Sequence, residues 1–137
     1  MSENDKITVK GIDRQRAVLA YDCVTEVDEQ SNGKKKKEYK SYIKKMPSLI
    51  KTNGLGQTLA FYLSKAARKD NAYTFVFDHI EKYLKEMKLL GQDDKEMIKF
   101  IIEQNSADYR YITTEILAFL NWVKRFADGR IEGEDQE

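Results

Sequence analysis

The sequence holds one cysteine, one proline and one histidine among 137 residues. A lone cysteine closes no internal disulfide, which fits a reducing cytoplasm and leaves the fold to rest on its own core. A lone histidine with no second histidine or cysteine beside it offers no metal-ligand set. No Ser/His/Asp, Cys/His or paired-carboxylate arrangement stands out, so neither catalysis nor a cofactor or small-molecule substrate is expected. No apolar run approaches the ~20 residues a membrane helix needs. The first residues, MSENDKITVKGID, lack the basic-then-apolar order of a secretory signal. Period-two alternation is almost absent, and seven glycines with one proline leave few obligatory breaks, so helices are expected throughout.

What is present suits a soluble core. Hydrophobic residues make up 41% and charged residues 34%, enough for an interior and a hydrated surface. A chain this size reads as one domain, residues 1–137, which buries roughly 68% of its unfolded surface. The net charge of +1 conceals segregation. Residues 34–51 carry eight lysines against one glutamate, and residues 128–137 carry five acids against one arginine.

Apolar spacing of three and four predicts an all-α bundle of about six helices, with short connections and antiparallel neighbours. The first runs from Asp13 to about Glu29, burying Leu19, Ala20, Cys23, Val24 and Val27. Asn32-Gly33 ends a polar turn. The second carries the lysines and ends at Asn53-Gly54, with a kink expected at Pro47. The third, Leu55 to Arg68, turns Leu59, Tyr62, Leu63 and Ala66 inward. Asn71 caps the fourth, whose stripe is Tyr73, Val76, Phe77, Ile80, Tyr83, Leu84 and Met87 and whose end is Gly91. Asp93 and Glu96 resemble a capping box for a fifth. Ser106 caps a sixth, bearing Tyr109, Ile112, Ile116, Phe119, Leu120, Val123 and Phe126 and ending at Gly129. Residues 1–11 and 129–137 are expected to stay outside the core.

The stretch from Lys34 to Tyr62 is the most informative. Tyr39, Tyr42, Ile43, Met46, Leu49 and Ile50 share one side of the helix. Lys37, Lys40, Lys44 and Lys51 share another, within roughly 60° at about 100° per residue. A solvated helix face usually mixes signs, whereas this one is expected to present aligned ammonium groups suited to a phosphate backbone. Gly54-Leu-Gly56 lacks the strand and the G-K-S/T of a phosphate loop and reads as a tight interhelical turn. His79 reads as a surface or boundary residue. Tyr111, Leu117 and Trp122 fall off the main stripe of the sixth helix, marking either a protein interface or a second layer of core. Residues alone leave a protein–protein adaptor, a non-catalytic RNA-holding module and, third, an enzyme.

The runs YKSYIKKMPSLIKTNGLGQTLAFYLSK and LNWVKRFADG resemble the small all-helical subunit of the type III-B CRISPR effector, the Cmr complex. The resemblance extends from about Asp13 to Glu132. It implies a non-catalytic cytoplasmic protein in antiviral defence, stacked with copies of itself beside other Cmr subunits and touching crRNA and target RNA without reading sequence. Transferred to this chain, it implies that Lys37, Lys40, Lys44, Lys45 and Lys51 face the RNA. Arg110, Lys124 and Arg125, with Arg110 near the azimuth of Lys124, would extend that track.

Overall fold

The computed structural model describes residues 9–68, 71–91 and 96–132. Six helices follow in order: α1 (Val9–Gln30), α2 (Gly33–Asn53), α3 (Leu55–Ala66), α4 (Ala72–Glu86), α5 (Met97–Ile102) and α6 (Ser106–Arg130). The all-α reading holds, and no strand occurs among the described residues.

Helix starts follow side-chain chemistry. Asn32 accepts from the Lys35 amide, Asn71 from that of Tyr73 and Asn105 from that of Asp108, each satisfying an orphan donor of the first turn. The α6 cap is therefore Asn105, one residue before the expected Ser106. Asp93 of the expected capping box lies outside the described residues, and Glu96 makes no capping bond. Pro47 sits inside α2, which is continuous from Gly33 to Asn53.

Helix ends depart further from expectation. The fourth helix stops at Glu86 rather than at Gly91. Lys88 takes the left-handed conformation at φ 62°, its amide bonds Lys85 O at 3.1 Å, and Leu89 N bonds Leu84 O at 2.8 Å. This is a Schellman closure with lysine where glycine is usual. It turns the chain so that Leu90 is buried. At the other end of the chain, Gly129 lies within α6, and Ile131 is only 2% exposed. Arg130 and Ile131 therefore belong to the fold, as do residues 9–11 in α1, contrary to the expected loose ends.

The buried residues form one cluster that includes Tyr39, Tyr62, Tyr83, Phe119, Met46 and Leu59. Each large apolar side chain so enclosed contributes about 1.5–3 kcal/mol. Leu63, expected inward, is exposed, and Leu55 and Thr58 take the buried side of α3.

Helix α6 lies along α1 and α2, while α4 lies along α2 and α3. The contacts Asp13–Trp122, Tyr21–Phe126 and Thr25–Arg130 advance together, so α1 and α6 run parallel. Lys40 in the first half of α2 meets Ile131 just past the end of α6, and Gly56, three residues past the end of α2, meets Tyr109 near the start of α6, so α2 and α6 run antiparallel. That second pairing sets where the lysines stand relative to α6.

Candidate nucleic-acid interface

Lys37, Lys44 and Lys51 fall on the outer face of α2 and are exposed. None of them forms an ion pair with a described carboxylate. Lys34, by contrast, lies 4.0 Å from Glu38, and Lys36 lies 3.1 Å from Asp28. Ser41 and Ser48 stand between the three free lysines, adding hydroxyls and no opposing charge.

Lys40 is a correction. Its residue is only 9% exposed, and its ammonium donates to the Ile131 carbonyl at 2.9 Å, with Asp128 Oδ1 4.0 Å away. The azimuth of Lys40 borders the buried stripe, and the end of α6 covers it. Lys40 ties two helices together and is not available to a ligand.

The remaining sequence-predicted cations divide into groups. Lys44 stands one turn beyond Lys40, and Lys124 one turn before Asp128. Both therefore flank the same α2–α6 seam. Lys124 is half-buried there. Arg125 is exposed about 100° further round α6, away from the seam. Arg110 is exposed at the opposite end of α6, beside the Tyr109 that meets Gly56. Lys45 turns to the other flank of α2, where it lines a cleft shared with α3 and α4. The structure thus gathers Lys37, Lys44, Lys51 and Lys124, and sets Lys45, Arg110 and Arg125 apart.

Of Tyr111, Leu117 and Trp122, expected at an interface or in a second core layer, the last two are partly buried against the core. Trp122 donates its Nε1–H to Asp13 Oδ1 at 3.0 Å and stacks on Phe126, centroids 5.6 Å apart. That hydrogen bond is the first cause holding the Asp13 carboxyl below its usual range, with Arg16 adding to it. Leu117 is half-buried against the core, and only Tyr111, 54% exposed, faces outward.

The Gly54-Leu-Gly56 turn has a structural cause at both glycines. Gly54 sits at φ 92° and ψ 157°, a region nearly closed to side chains. A Cβ on Gly56 would come 3.1 Å from Ile102 Cγ2, and its amide already donates to the Tyr109 hydroxyl at 2.9 Å. That donor at the start of α3 is occupied by the protein itself.

His79 departs from expectation as well. It is 3% exposed, in phase with Val76, Ile80 and Tyr83, a spacing that sequence reading had the means to catch. Tyr39 Oη lies 2.9 Å from Nδ1, and Glu26 Oε1 lies 2.8 Å from Nε2. A neutral imidazole with its proton on Nε2 satisfies both: Tyr39 O–H donates to Nδ1, and Nε2–H donates to Glu26. Burial pushes the His79 pKa down, partly offset by Glu26. Folding then favours the neutral ring. Its contribution is complete above the unfolded value of about 6.5 and is lost as pH falls from there through the lower folded value. We expect the melting temperature to drop between pH 7.5 and 5.5, and to drop less in His79→Gln. Equal drops, measured by circular dichroism, would remove His79 as the cause. Nearby Cys23 is buried, and burial pushes its thiol up to about 12, so it serves as packing.

Among the described residues no group of three potential ligands could hold a metal ion, and no helix is long and apolar enough to cross a membrane.

Comparison with known proteins agrees with the sequence resemblance. The Cas_Cmr5 family of CRISPR-associated proteins matches residues 12–130. The CRISPR system Cmr subunit Cmr5 of Thermus thermophilus is 30% identical over 115 residues, covering 84% of this chain and 94% of the relative. The subunit of the same name from Thermotoga maritima is 27% identical over 132 residues, covering 94% and 92%. The crystal structure of a CRISPR-associated Cmr5 family protein, also from Thermus thermophilus, superposes with a TM-score of 0.68 at 30% identity, covering 88% of this chain and 96% of that one. With its six helices in place and the family matched over residues 12–130, this chain belongs to the Cmr5 family of CRISPR-associated proteins.

Proposed function

We propose that this chain is a non-catalytic small subunit of a CRISPR Cmr ribonucleoprotein, stacking with copies of itself and holding crRNA-paired target RNA by charge. Its relatives are named as Cmr subunits, which supplies the assembly. The observation carrying the RNA role is the row of Lys37, Lys44 and Lys51, exposed along α2 without described carboxylate partners and flanked by Lys124. Such a row supplies sequence-independent phosphate contacts, each releasing a counterion. Guide pairing would supply the sequence specificity. The subunit's share is a rigid charged edge.

The test is Lys44→Glu with Lys51→Glu in the reconstituted complex. Target-RNA retention is expected to weaken by about tenfold or more near 0.15 M salt, with the log–log salt slope shallower by about 1.5. Both lysines are exposed, so the fold is retained. An unchanged slope rejects the reading. The adaptor alternative has one observation in its favour, the outward Tyr111 on α6. It expects RNA retention to follow subunit association and to ignore these two charges.

A further inference from the structure

On the flank of α2 away from the α6 seam lies a half-open cleft of about 580 Å³, within the size range of small-ligand sites. Its walls are Tyr42, Phe61 and Tyr73, and its rim carries Lys45, Asn53 and Gln57. The Tyr42 and Tyr73 rings stack at 3.8 Å and 14°. Phe61 meets Tyr73 edge-on, centroids 6.3 Å apart. Tyr62 fixes the corner, donating its hydroxyl to the Tyr42 carbonyl at 2.7 Å. These rings are therefore held in place before anything binds.

Phe61 needs explaining, because it leaves 45% of its surface exposed on a helix with room for it to be polar. It does not sit in a purely apolar groove. Lys65 Nζ lies 5.4 Å from its ring centroid, Lys45 stands across the cleft on α2, and Asn53 and Gln57, both exposed, line the same cleft. An aliphatic partner side chain would cover the rings and leave two amides and two ammonium groups unmatched. A nucleotide matches all three kinds of group. Its base has a flat π face for the rings, its edge pairs donors with acceptors as a primary amide does, and its phosphate is an anion for Lys45. Lys45 follows Lys44 about 100° further round α2, which sets it between the charged row and the cleft.

We propose that this cleft takes one unstacked base of the RNA strand held along α2, with Lys45 on the adjoining phosphate. The inference rests on the RNA-holding role proposed above and adds a base contact to it. Stacking of this kind tolerates any base, so it adds hold without adding sequence preference.

The experiment follows backbone amides, Asn and Gln side-chain amides and aromatic rings of the full chain by NMR at low salt. The probes are a short oligouridylate and an abasic oligomer of the same length and charge. Both are expected to shift Lys37, Lys44 and Lys51. Only the oligouridylate is expected to shift Asn53, Gln57, Phe61 and Tyr73, and to bind about fivefold or more tighter. Phe61→Leu, and separately Gln57→Glu, should erase that difference, with Phe61→Leu leaving abasic binding intact. If both probes bind equally and the cleft signals stay still while the lysines respond, the cleft proposal falls and the charged-row reading stands. If the lysines are silent to both probes, both readings fall. Cleft signals that move with neighbouring subunits and not with RNA assign the cleft to a protein and overturn the proposal.

Discussion

Alanine at Glu115 is expected to cost this fold about 3–5 kcal/mol, a large share of the stability of any domain this size. The reason is Arg16, whose side chain is 15% exposed beside a Glu115 side chain at 10%. One guanidinium nitrogen donates to both Glu115 oxygens, at 2.9 and 3.0 Å. Nε donates to the Tyr83 hydroxyl at 3.1 Å, and Tyr83 donates onward to Glu115 Oε1 at 3.1 Å. Tyr83 in turn stacks on Phe119 at 4.2 Å. Burial opposes the Arg16 charge, but the Glu115 carboxylate and Tyr83 outweigh it and raise its pKa further. Without Glu115 the guanidinium stays charged, loses its buried counter-ion and the anchor of Tyr83, and keeps only the half-exposed Asp13, 3.2 Å from its other nitrogen. Arg16→Met combined with Glu115→Leu should recover most of the loss, because the desolvated charge goes with its partner. Urea unfolding of the three variants measures this. A loss under about 1 kcal/mol for Glu115→Ala would mean that solvent reaches the network freely.

Lys40→Glu is expected to cost about 3 kcal/mol, whereas Lys44→Glu stays within about 0.5 kcal/mol of the parent. The two lysines are one turn apart on the same helix. At Lys40 a carboxylate would face the Ile131 carbonyl and Asp128, with its side-chain position only 11% exposed. At Lys44 it would face water. Urea midpoints of the two single variants decide the matter. Equal midpoints would show that the Lys40 contact anchors nothing. The contrast also governs any test of RNA binding, since a charge reversal at Lys40 would confound lost binding with lost folding.

Periodicity located all six helices and the outward setting of Lys37, Lys44 and Lys51, because these depend on one helix at a time. Lys40 was not legible, since its azimuth lies at the edge of the stripe and only the arrival of α6 decides its side. The same limit explains the helix ends. Gly129 carries a stop signal, yet a Cβ there would meet nothing within 4 Å, and Ile131 beyond it still finds a buried place. Conversely, α4 stops at Glu86 and is closed by Lys88, which carries no stop signal. The cleft escaped a sequence reading for a related reason. Tyr42, Phe61 and Tyr73 come from three helices, and only Phe61, off the stripe of its own helix, gave a local hint.

The parallel pairing of α1 with α6 joins residues as far apart as Asp13 and Trp122, 109 positions along the chain. During synthesis α1 leaves the ribosome long before its partner exists. Helices α2, α3 and α4, which pack on one another, can begin to associate in that interval. Part of α1 can meet α2 and α4 as they form, but the side that packs on α6 must wait, exposed, until α6 is complete. For a helical protein that is an unusually long delay, because the loop to be closed spans most of the chain. Emergence of α6, rather than of any earlier helix, is therefore the step that lets α1 complete its packing.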